Sequence, residues 1–568
     1  MNLLNTVLYA QAQKVLFVLF LLMGISYSAN FSASEYASLN EIATKFYGAQ
    51  RSGDLSNWLV GQHSGSHISF PKDGHTFGRD LSGGWHDAGD FIKFSLTISY
   101  SSYTLLKAYD AFGAGFADKD SWDYQGSPDG IPDVLGEAKI ATDYLYKTLL
   151  NQDSMVSRVG GDQDHSFWTT SPLMSTNTAA QGGDPRPVYF GTKADIAGQV
   201  AASLALMAKL YQPYDVVYAE QLLVKAREVY KYAEANPGQT KEPGESYYAD
   251  NSYHDNLMCG AIEIYRAEPG AADAQSYLDK AKAYDTQIGS HGWVVDWANP
   301  SDFCRHSMIK AGAIQSQSYW KNAVDSYLDK VSTQTYVNGL MYLNQDWGTL
   351  QYSQNAAFSA ALYYDIFGGQ AYYDFAFSQL DYVMGTNEYN RSFVVGFGLD
   401  SPTQPHHKNS YGRDDPNWNL NLEHLYELTG AMVGGPTTTT AGGGTTVGYD
   451  DVITDYVSNE VSIGYNAGLV GVSAFAALST GKPTSVFEKM KNTSMIEFKY
   501  EQGFIHLDLG TKWKVSTVGG VGIFNILGSR VQTLSQIKSQ ELRWNIQELS
   551  SGNYHLKVGT EVFPFSKP

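Results

Sequence analysis

Positive charge is scarce in this sequence: 39 Lys and Arg stand against 58 Asp and Glu, a formal net charge of −19. Nucleic acid and anionic membrane both reward Lys and Arg, so neither is expected as a partner, whereas a neutral polymer is not opposed. Cysteine is scarcer still. Cys259 and Cys304 are the only two, which permits one disulfide at most, and only in an oxidising compartment. Charged residues make up just 17% of the chain. The apolar run Val15–Ile25 is too short to favour a spanning helix. Lys14 precedes it, and Ser26 and Ser28 follow it as small residues, so 1–28 reads as a signal peptide cleaved after Ser28. A secreted or surface-held protein is therefore expected, one that meets the membrane only during export.

Apolar and aromatic residues are what the chain has in quantity. Hydrophobic residues are 43% of its 568, enough for a sizeable core, and 40 Tyr, 26 Phe and 11 Trp stand out. The length allows several domains, or one large enzyme domain with a small appendage. Aromatic faces stack on the apolar faces of sugar rings; they also fill large cores and their rims.

Helical periodicity recurs from about 34 to 480, as in Ala194–Leu210, Pro132–Leu150, Asn256–Ala267, Asn355–Phe367 and Ser458–Ala477. Long Gly-, Asn- and Asp-rich loops separate these segments, which predicts an all-α toroid whose active face is made of loops. Thr437–Thr446 (TTTTAGGGTT) is a flexible loop by composition, and 481–492 reads as a linker. Beyond it the pattern changes to short alternating runs, 495–500, 504–509, 521–526 and 554–558, which predict a small β-sandwich-like module over 493–568.

Three local patterns carry chemistry. Asp87 and Asp90 close the Gly-rich segment DLSGGWHDAGD at 80–90, where two carboxylates can converge on one water. Hydrolysis of a glycosidic bond needs a carboxylate base and a carboxylic acid; the same spacing also suits an Asx-rich turn or a metal loop. Glu460 is placed near the start of an apolar helical run, with Asp451 and Asp455 upstream. Burial and neighbouring carboxylates would raise its pKa, as an acid requires, and an ordinary first-turn Glu is the plainer alternative. Pro405-His406-His407-Lys408 offers two imidazoles, which suit sugar hydroxyls better than a shared metal, because adjacent side chains diverge.

With these motifs the chain resembles glycoside hydrolase family nine. The ordered matches are FYGAQRSG at 46–53, DLSGGWHDAGD at 80–90, DGIPDVLGEA at 129–138, GDQDHSFW at 161–168 and WGTLQYSQNAAF at 347–358. They continue with DYVMGTN at 381–387, SFVVGFG at 392–398, PHHK at 405–408, GAMVGGP at 430–436 and DYVSNEVSIGYNAG at 455–468. The resemblance implies an (α/α)6 barrel and an endo-1,4-β-glucanase, a cellulase, that inverts the anomeric carbon. Within it Asp90 matches the base, Asp87 the aspartate that shares the attacking water, Glu460 the acid and Asp451 a supporting aspartate. His406, His407 and Lys408 match residues that bind sugar at the cleavage subsite, and Tyr465 a tyrosine near the acid. His165, Trp168, Trp297 and Trp347 fall on positions lining the glycone subsites. The substrate implied is cellulose or a related β-glucan, and a monomer is expected. Alternatives are a hydrolase of mixed-linkage glucan or xyloglucan, a lyase on the same scaffold, or a non-hydrolytic polysaccharide-binding protein; the presence of Asp87, Asp90 and Glu460 argues against the last.

The sequence departs from the family pattern in places. The common PHHR is PHHK, so Lys408 keeps the charge but loses the bidentate fork, with Arg413 as a compensating cation. The usual YxDELxW reads Tyr253-His254-Asp255-Asn256-Leu257-Met258-Cys259. The resemblance also implies a structural Ca2+ held by Asn251, Ser252, Asp255, Asn256 and Asp302, with lowered affinity because position 256 is not acidic. If that ion joins the two loops, Cys259 and Cys304 lie on neighbouring segments and within reach of a disulfide. The C-terminal segment, ending in Ser551-Gly552-Asn553-Tyr554-His555-Leu556-Lys557-Val558, resembles the sorting modules of some Gram-negative secreted enzymes. A carbohydrate-binding module using Trp513 and Trp544 is the rival.

Overall fold

The computed structural model describes residues 30–54, 68–121, 126–181, 183–241, 247–313, 316–344, 347–398, 400–415, 419–437 and 448–478, with the segments 497–501, 504–508, 521–525, 530–534, 541–545, 549, 552–558 and 561–567 beyond them. The expected signal peptide, the 481–492 linker and all but Thr437 of the Thr/Gly loop lie outside the described residues.

Twelve helices of ten residues or more run through the described chain: α1 Ala33–Ala49, α2 Ser95–Phe112, α3 Asp133–Thr148, α4 Ala194–Tyr211, α5 Val216–Ala235, α6 His254–Ala267, α7 Ala274–Ile288, α8 Ser301–Lys310, α9 Ser316–Leu328, α10 Thr349–Phe367, α11 Gln370–Met384 and α12 Ile463–Leu478. The even-numbered helices pack each on the next, α2 on α4, α4 on α6, and so on to α12, which returns to α2 and closes a ring. Each odd-numbered helix packs outside that ring, α1 on α12, α3 on α2, α5 on α4, α7 on α6, α9 on α8 and α11 on α10. This is an (α/α)6 barrel.

Side-chain pattern decides which helix goes where. α4 is small and apolar on every side and buries 16 of its 18 residues; α5 is amphipathic and buries seven of 20. Each fully buried leucine such as Leu204 or Leu206 contributes about 1.5–3 kcal/mol relative to exposure. Close approach of the inner helices depends on glycine: a Cβ at Gly198 would lie 2.7 Å from the backbone carbon of Asn256 on the next helix. Cys259 of α6 and Cys304 of α8 form a disulfide with a Cα–Cα distance of 5.1 Å, joining two adjacent inner helices.

Two helical expectations shift. The segment expected at 355–367 begins at Thr349, and the one expected at 458–477 begins at Ile463. Residues 458–461 are not helical because their backbone groups bond elsewhere: Gly434 N–H to Glu460 O at 2.8 Å, His406 N–H to Asn459 O at 2.8 Å and Gly435 N–H to Ser458 O at 2.7 Å.

At one end of the barrel, strand Ser154–Val159 pairs with Lys93–Phe94 on one side and Val188–Phe190 on the other. This small sheet holds the start of α2 in place. The C-terminal segment forms seven antiparallel strands: β1 Glu497–Glu501, β2 Phe504–Asp508, β3 Val521–Asn525, β4 Arg530–Leu534, β5 Glu541–Asn545, β6 Gly552–Val558 and β7 Glu561–Lys567. They make two sheets, ordered β4-β3-β6-β7 and β5-β2-β1. Strands β4, β5 and β7 were not among the four alternating runs read from the sequence.

Candidate active site

A cleft of about 630 Å³ opens where the N-terminal ends of α2, α6, α8, α10 and α12 meet. Asp87, Asp90, Phe94 and Thr97 reach it from the start of α2; Tyr247 and Tyr248 from the segment before α6; and Trp297 from the segment before α8. Trp347, Gln351 and Tyr352 come from the start of α10, and Tyr456, Glu460 and Tyr465 from the start of α12. His165, Trp168, His406 and Lys408 complete the wall. Helix N-termini carry partial positive charge, so this end of the ring favours anions.

The 87–90 turn is clamped by two other segments. Asp87 O accepts from Ile463 N at 2.9 Å, and Gly89 O from Lys408 N at 2.9 Å. A Cβ at Gly89 would lie 2.0 Å from His406 O, so only glycine fits there. Gln50 supports the turn from behind, donating to Ala88 O at 2.7 Å. Both Asp87 oxygens accept hydroxyl hydrogen bonds, Oδ1 from Thr97 and Oδ2 from Tyr248. Burial and the charge of Asp90 nonetheless push Asp87 up to about 7. Asp90 Oδ2 meets His165 Nε2 at 2.5 Å, while its Oδ1 is buried with no hydrogen-bond partner among the described residues. For Asp90 burial acts upward but is outweighed by the bond and charge of His165 and the charge of Lys408, which hold it below the usual carboxylate range.

Glu460 has the opposite environment. Oε2 accepts from Trp347 Nε1 at 2.5 Å and from the Tyr465 hydroxyl at 3.3 Å. Burial raises its pKa, the Trp347 bond lowers it, and the charges of Asp90 and Asp87 raise it again, to about 7 in all. The cleft thus joins a carboxylate held ionised to a carboxyl that keeps its proton near neutral pH.

His406 and His407 diverge. His406 lines the cleft with Nδ1 2.6 Å from Ile453 O, and burial pushes it down to about 4, so it is neutral. His407 lies behind the cleft, its Nε2 2.8 Å from Gln50 Oε1 and its Nδ1 accepting from Ser410 N at 3.1 Å. Its place behind the wall removes it from direct sugar contact. Trp168 is 1% exposed and packs edge-on against His406, so it offers an edge rather than a face. Trp347 is 45% exposed and lies against Tyr456. Trp297 packs edge-on to Tyr248. Asp451 is outside the cleft and accepts from Thr403 N at 2.7 Å, Gln404 N at 3.0 Å and Asn459 Nδ2 at 3.3 Å. Arg413 is likewise not among the lining residues and donates to Glu423 O.

The residues expected to hold a metal separate into two groups. Asp255 and Asn256 are buried on α6 with no hydrogen bond completed to any side-chain oxygen, and Asp250 Oδ2 beside them is in the same state. Burial and the charge of Asp255 push Asp250 up to about 9. Asp302 feels the same His291 and Arg305 charges as Asp255, but its oxygens are engaged. Its Oδ1 meets His291 Nε2 at 3.0 Å, and its Oδ2 accepts from Tyr327 at 2.7 Å and Ser359 at 2.8 Å. Asn251 is exposed; Ser252 N donates to Asp250 Oδ1 at 2.8 Å, while the Ser252 hydroxyl accepts from His254 N at 3.2 Å and faces Asp255. Among the described residues no three His, Cys, Asp or Glu side chains form a metal cage.

Sequence reasoning passed over Thr97, Tyr248, Gln50 and Tyr456. A hydroxyl or an amide is common along the chain, and only the fold brings Tyr248 to Asp87. The one available signal was the density of tyrosine.

The family model of glycosyl hydrolase family 9 matches residues 36–473. Endoglucanase A of Bacillus pumilus is 33% identical over 513 residues, covering 84% of this chain and 72% of that protein. Endoglucanase 4 of a Bacillus species is 32% identical, over 77% of this chain and 68% of its own length. Among solved structures, the endoglucanase of the termite Nasutitermes takasagoensis superposes with a TM-score of 0.65 at 30% identity, covering 78% of this chain and 99% of that one. Endoglucanase CelQ of Clostridium thermocellum, in complex with cellotetraose, superposes with a TM-score of 0.63 at 26% identity, covering 87% of this chain and 80% of that one.

Proposed function

This chain belongs to glycosyl hydrolase family 9 and is a cellulase; we propose that it cuts internal β-1,4-glucosidic bonds with inversion, Asp90 acting as general base and Glu460 as general acid. The observation that carries this reading is that one aromatic cleft holds both Asp90, kept below the usual carboxylate range, and Glu460, pushed up to about 7. Asp90 Oδ1, left without a protein partner, takes the proton of the attacking water. Asp87, held by Thr97 and Tyr248, orients that water. Both donors to Glu460 point at Oε2, so its proton sits on Oε1 and passes to the leaving glycosidic oxygen. Trp347, Tyr456 and Trp297 supply faces for sugar rings, and Asp451 braces the acid through Asn459. The relative bound to cellotetraose supports a cello-oligosaccharide as occupant. The test is a product profile on carboxymethyl-cellulose: viscosity should fall much faster than reducing ends appear. Ultraviolet-absorbing unsaturated ends would make it a lyase and overturn the reading.

The reading extends to a structural calcium ion. Asp255, Asn256 and Asp250 suit it, since among the described residues Asp250 Oδ2 and the side-chain oxygens of Asp255 and Asn256 complete no hydrogen bond; Asp302, engaged by His291, Tyr327 and Ser359, does not. Bound there, the ion would neutralise the buried carboxylates and tie the 250–253 segment, just beyond Tyr248, to α6. Export through 1–28 and a sorting role for the C-terminal strands complete the proposal, supported by the sequence patterns. Truncation after position 480 should leave soluble-substrate activity intact while releasing the enzyme from the cell surface.

A further inference from the structure

Lys408 stands where the family resemblance puts a sugar-binding cation, yet its head is turned into the protein. It is 2% exposed. Its ammonium donates to both the carbonyl oxygen of Asp164, at 2.5 Å, and the carboxylate Oδ1 of the same residue, at 2.6 Å. Asp164 is itself fully buried, on the short helix Gln163–Ser166. The next residue on that helix is His165, whose Nε2 holds Asp90 Oδ2. The main chain of Lys408 meanwhile donates to Gly89 O. One residue therefore touches both supports of Asp90: its backbone clamps the turn, and its side chain pins the segment that carries His165. A compact ammonium can sit between two oxygens of one residue, where a planar guanidinium would need a parallel pair of acceptors.

We propose that Lys408 is a positioning residue of the hydrolytic step, setting the orientation of the Asp90 carboxylate through Asp164 and His165 rather than binding sugar. The inference rests on the reading of Asp90 as base. The charged and titratable groups around Asp90 are Asp87, His165, His406, Glu460 and Lys408. Those around Lys408 are Asp90, Asp164, His165 and His406, with Arg186 3.7 Å from Asp164 on its far side. His406 is pushed down to about 4 by burial, while His165 and Lys408 are the groups that hold Asp90 below the usual carboxylate range.

The test is steady-state kinetics on cellopentaose across pH for K408M, K408R, D164N and the K408M/D164N double variant, with Asp90→Ala as control. K408M and D164N should each lose about ten- to a hundredfold in kcat, with KM within about twofold, as expected for a misplaced base. The double variant should be no worse than the worse single one. The acid limb of kcat/KM should move to higher pH in K408M and stay in place in K408R. Should K408M fail to fold, D164N decides on its own, and wild-type kinetics there would overturn the inference. A raised KM with unchanged kcat in K408M, or additive losses in the double variant, would assign Lys408 to sugar binding instead. Activity that survives Asp90→Ala would strike the proposed mechanism itself; loss of activity in Asp90→Ala beside wild-type behaviour in K408M would strike only this inference.

Discussion

The indole N–H of Trp347 lies 2.5 Å from Oε2 of Glu460, so a ring that faces solvent at the rim of the cleft also holds the carboxyl proposed as the acid. That bond opposes the upward push of burial on Glu460. In Trp347→Phe the carboxyl should stay protonated to higher pH, and the basic limb of kcat/KM should move to the alkaline side. KM should rise as well, because the benzyl face is smaller. A basic limb that does not move would remove Trp347 from the control of the acid.

Asp90→Ala and Glu460→Gln should each lower kcat by about 10²- to 10⁴-fold, the usual span of a general acid–base contribution. Azide should partly restore Asp90→Ala, since the missing role is activation of a nucleophile. Near wild-type turnover in either folded variant would refute the assignment.

On the proposed assignment Asp90 works ionised and Glu460 works protonated. Activity should therefore fall at low pH as Asp90 gains its proton, and fall again as pH rises through about 7, where Glu460 loses its own. Asp87→Asn removes one of the charges that raise Glu460, so its basic limb should shift downward in pH. A limb that shifts upward would mean another group sets it.

Inversion requires room for a water between base and sugar. Proton NMR of freshly cleaved cello-oligosaccharide should show the α-anomer first. First appearance of the β-anomer would make Asp90 a nucleophile.

The Cys259–Cys304 bond closes a loop 45 residues long in sequence, for which chain entropy predicts about 4 kcal/mol of stabilisation. Reductant should lower Tm. Chelator should lower it independently, with recovery on adding calcium, and Asp255→Asn should lose the chelator response while Asp302→Asn keeps it. A chelator without effect on the wild-type Tm would dismiss the ion; two free thiols in the native protein would dismiss the disulfide.

The barrel was legible because the family motifs are ordered along the chain and α4 is small and apolar over most of its surface, whereas the inner helix α8, polar and charged along its length, gave no such signal. The carboxylate motifs were legible too, since Gly89 and Asn459 hold fixed spacings to Asp90 and Glu460. What could not be read was direction. Lys408 and Asp302 were placed by alignment of motifs, but whether a buried charge faces the cleft or its own scaffold depends on partners distant in sequence, Asp164 for the one and Tyr327 and Ser359 for the other. Glu460 was expected within a helical turn, yet hydrogen bonds from Gly434 and the pairing with His406 keep it extended. Tyr248 reaches Asp87 across 161 positions of chain, a contact that no local pattern announces.

The ring closes where α12 returns to α2, with Asp87 O bonded to Ile463 N at the seam. The proposed base lies in the turn before the first inner helix, α2, and the proposed acid in the extended segment before the last, α12. A nascent chain that stops short of 460 contains nearly the whole barrel but no proton donor, and its cleft lacks a wall. On the proposed assignment such fragments should be inert. Hydrolysis should then begin only when the final helix seats, so a chain truncated before 460 should be inactive where one truncated after 480 is active.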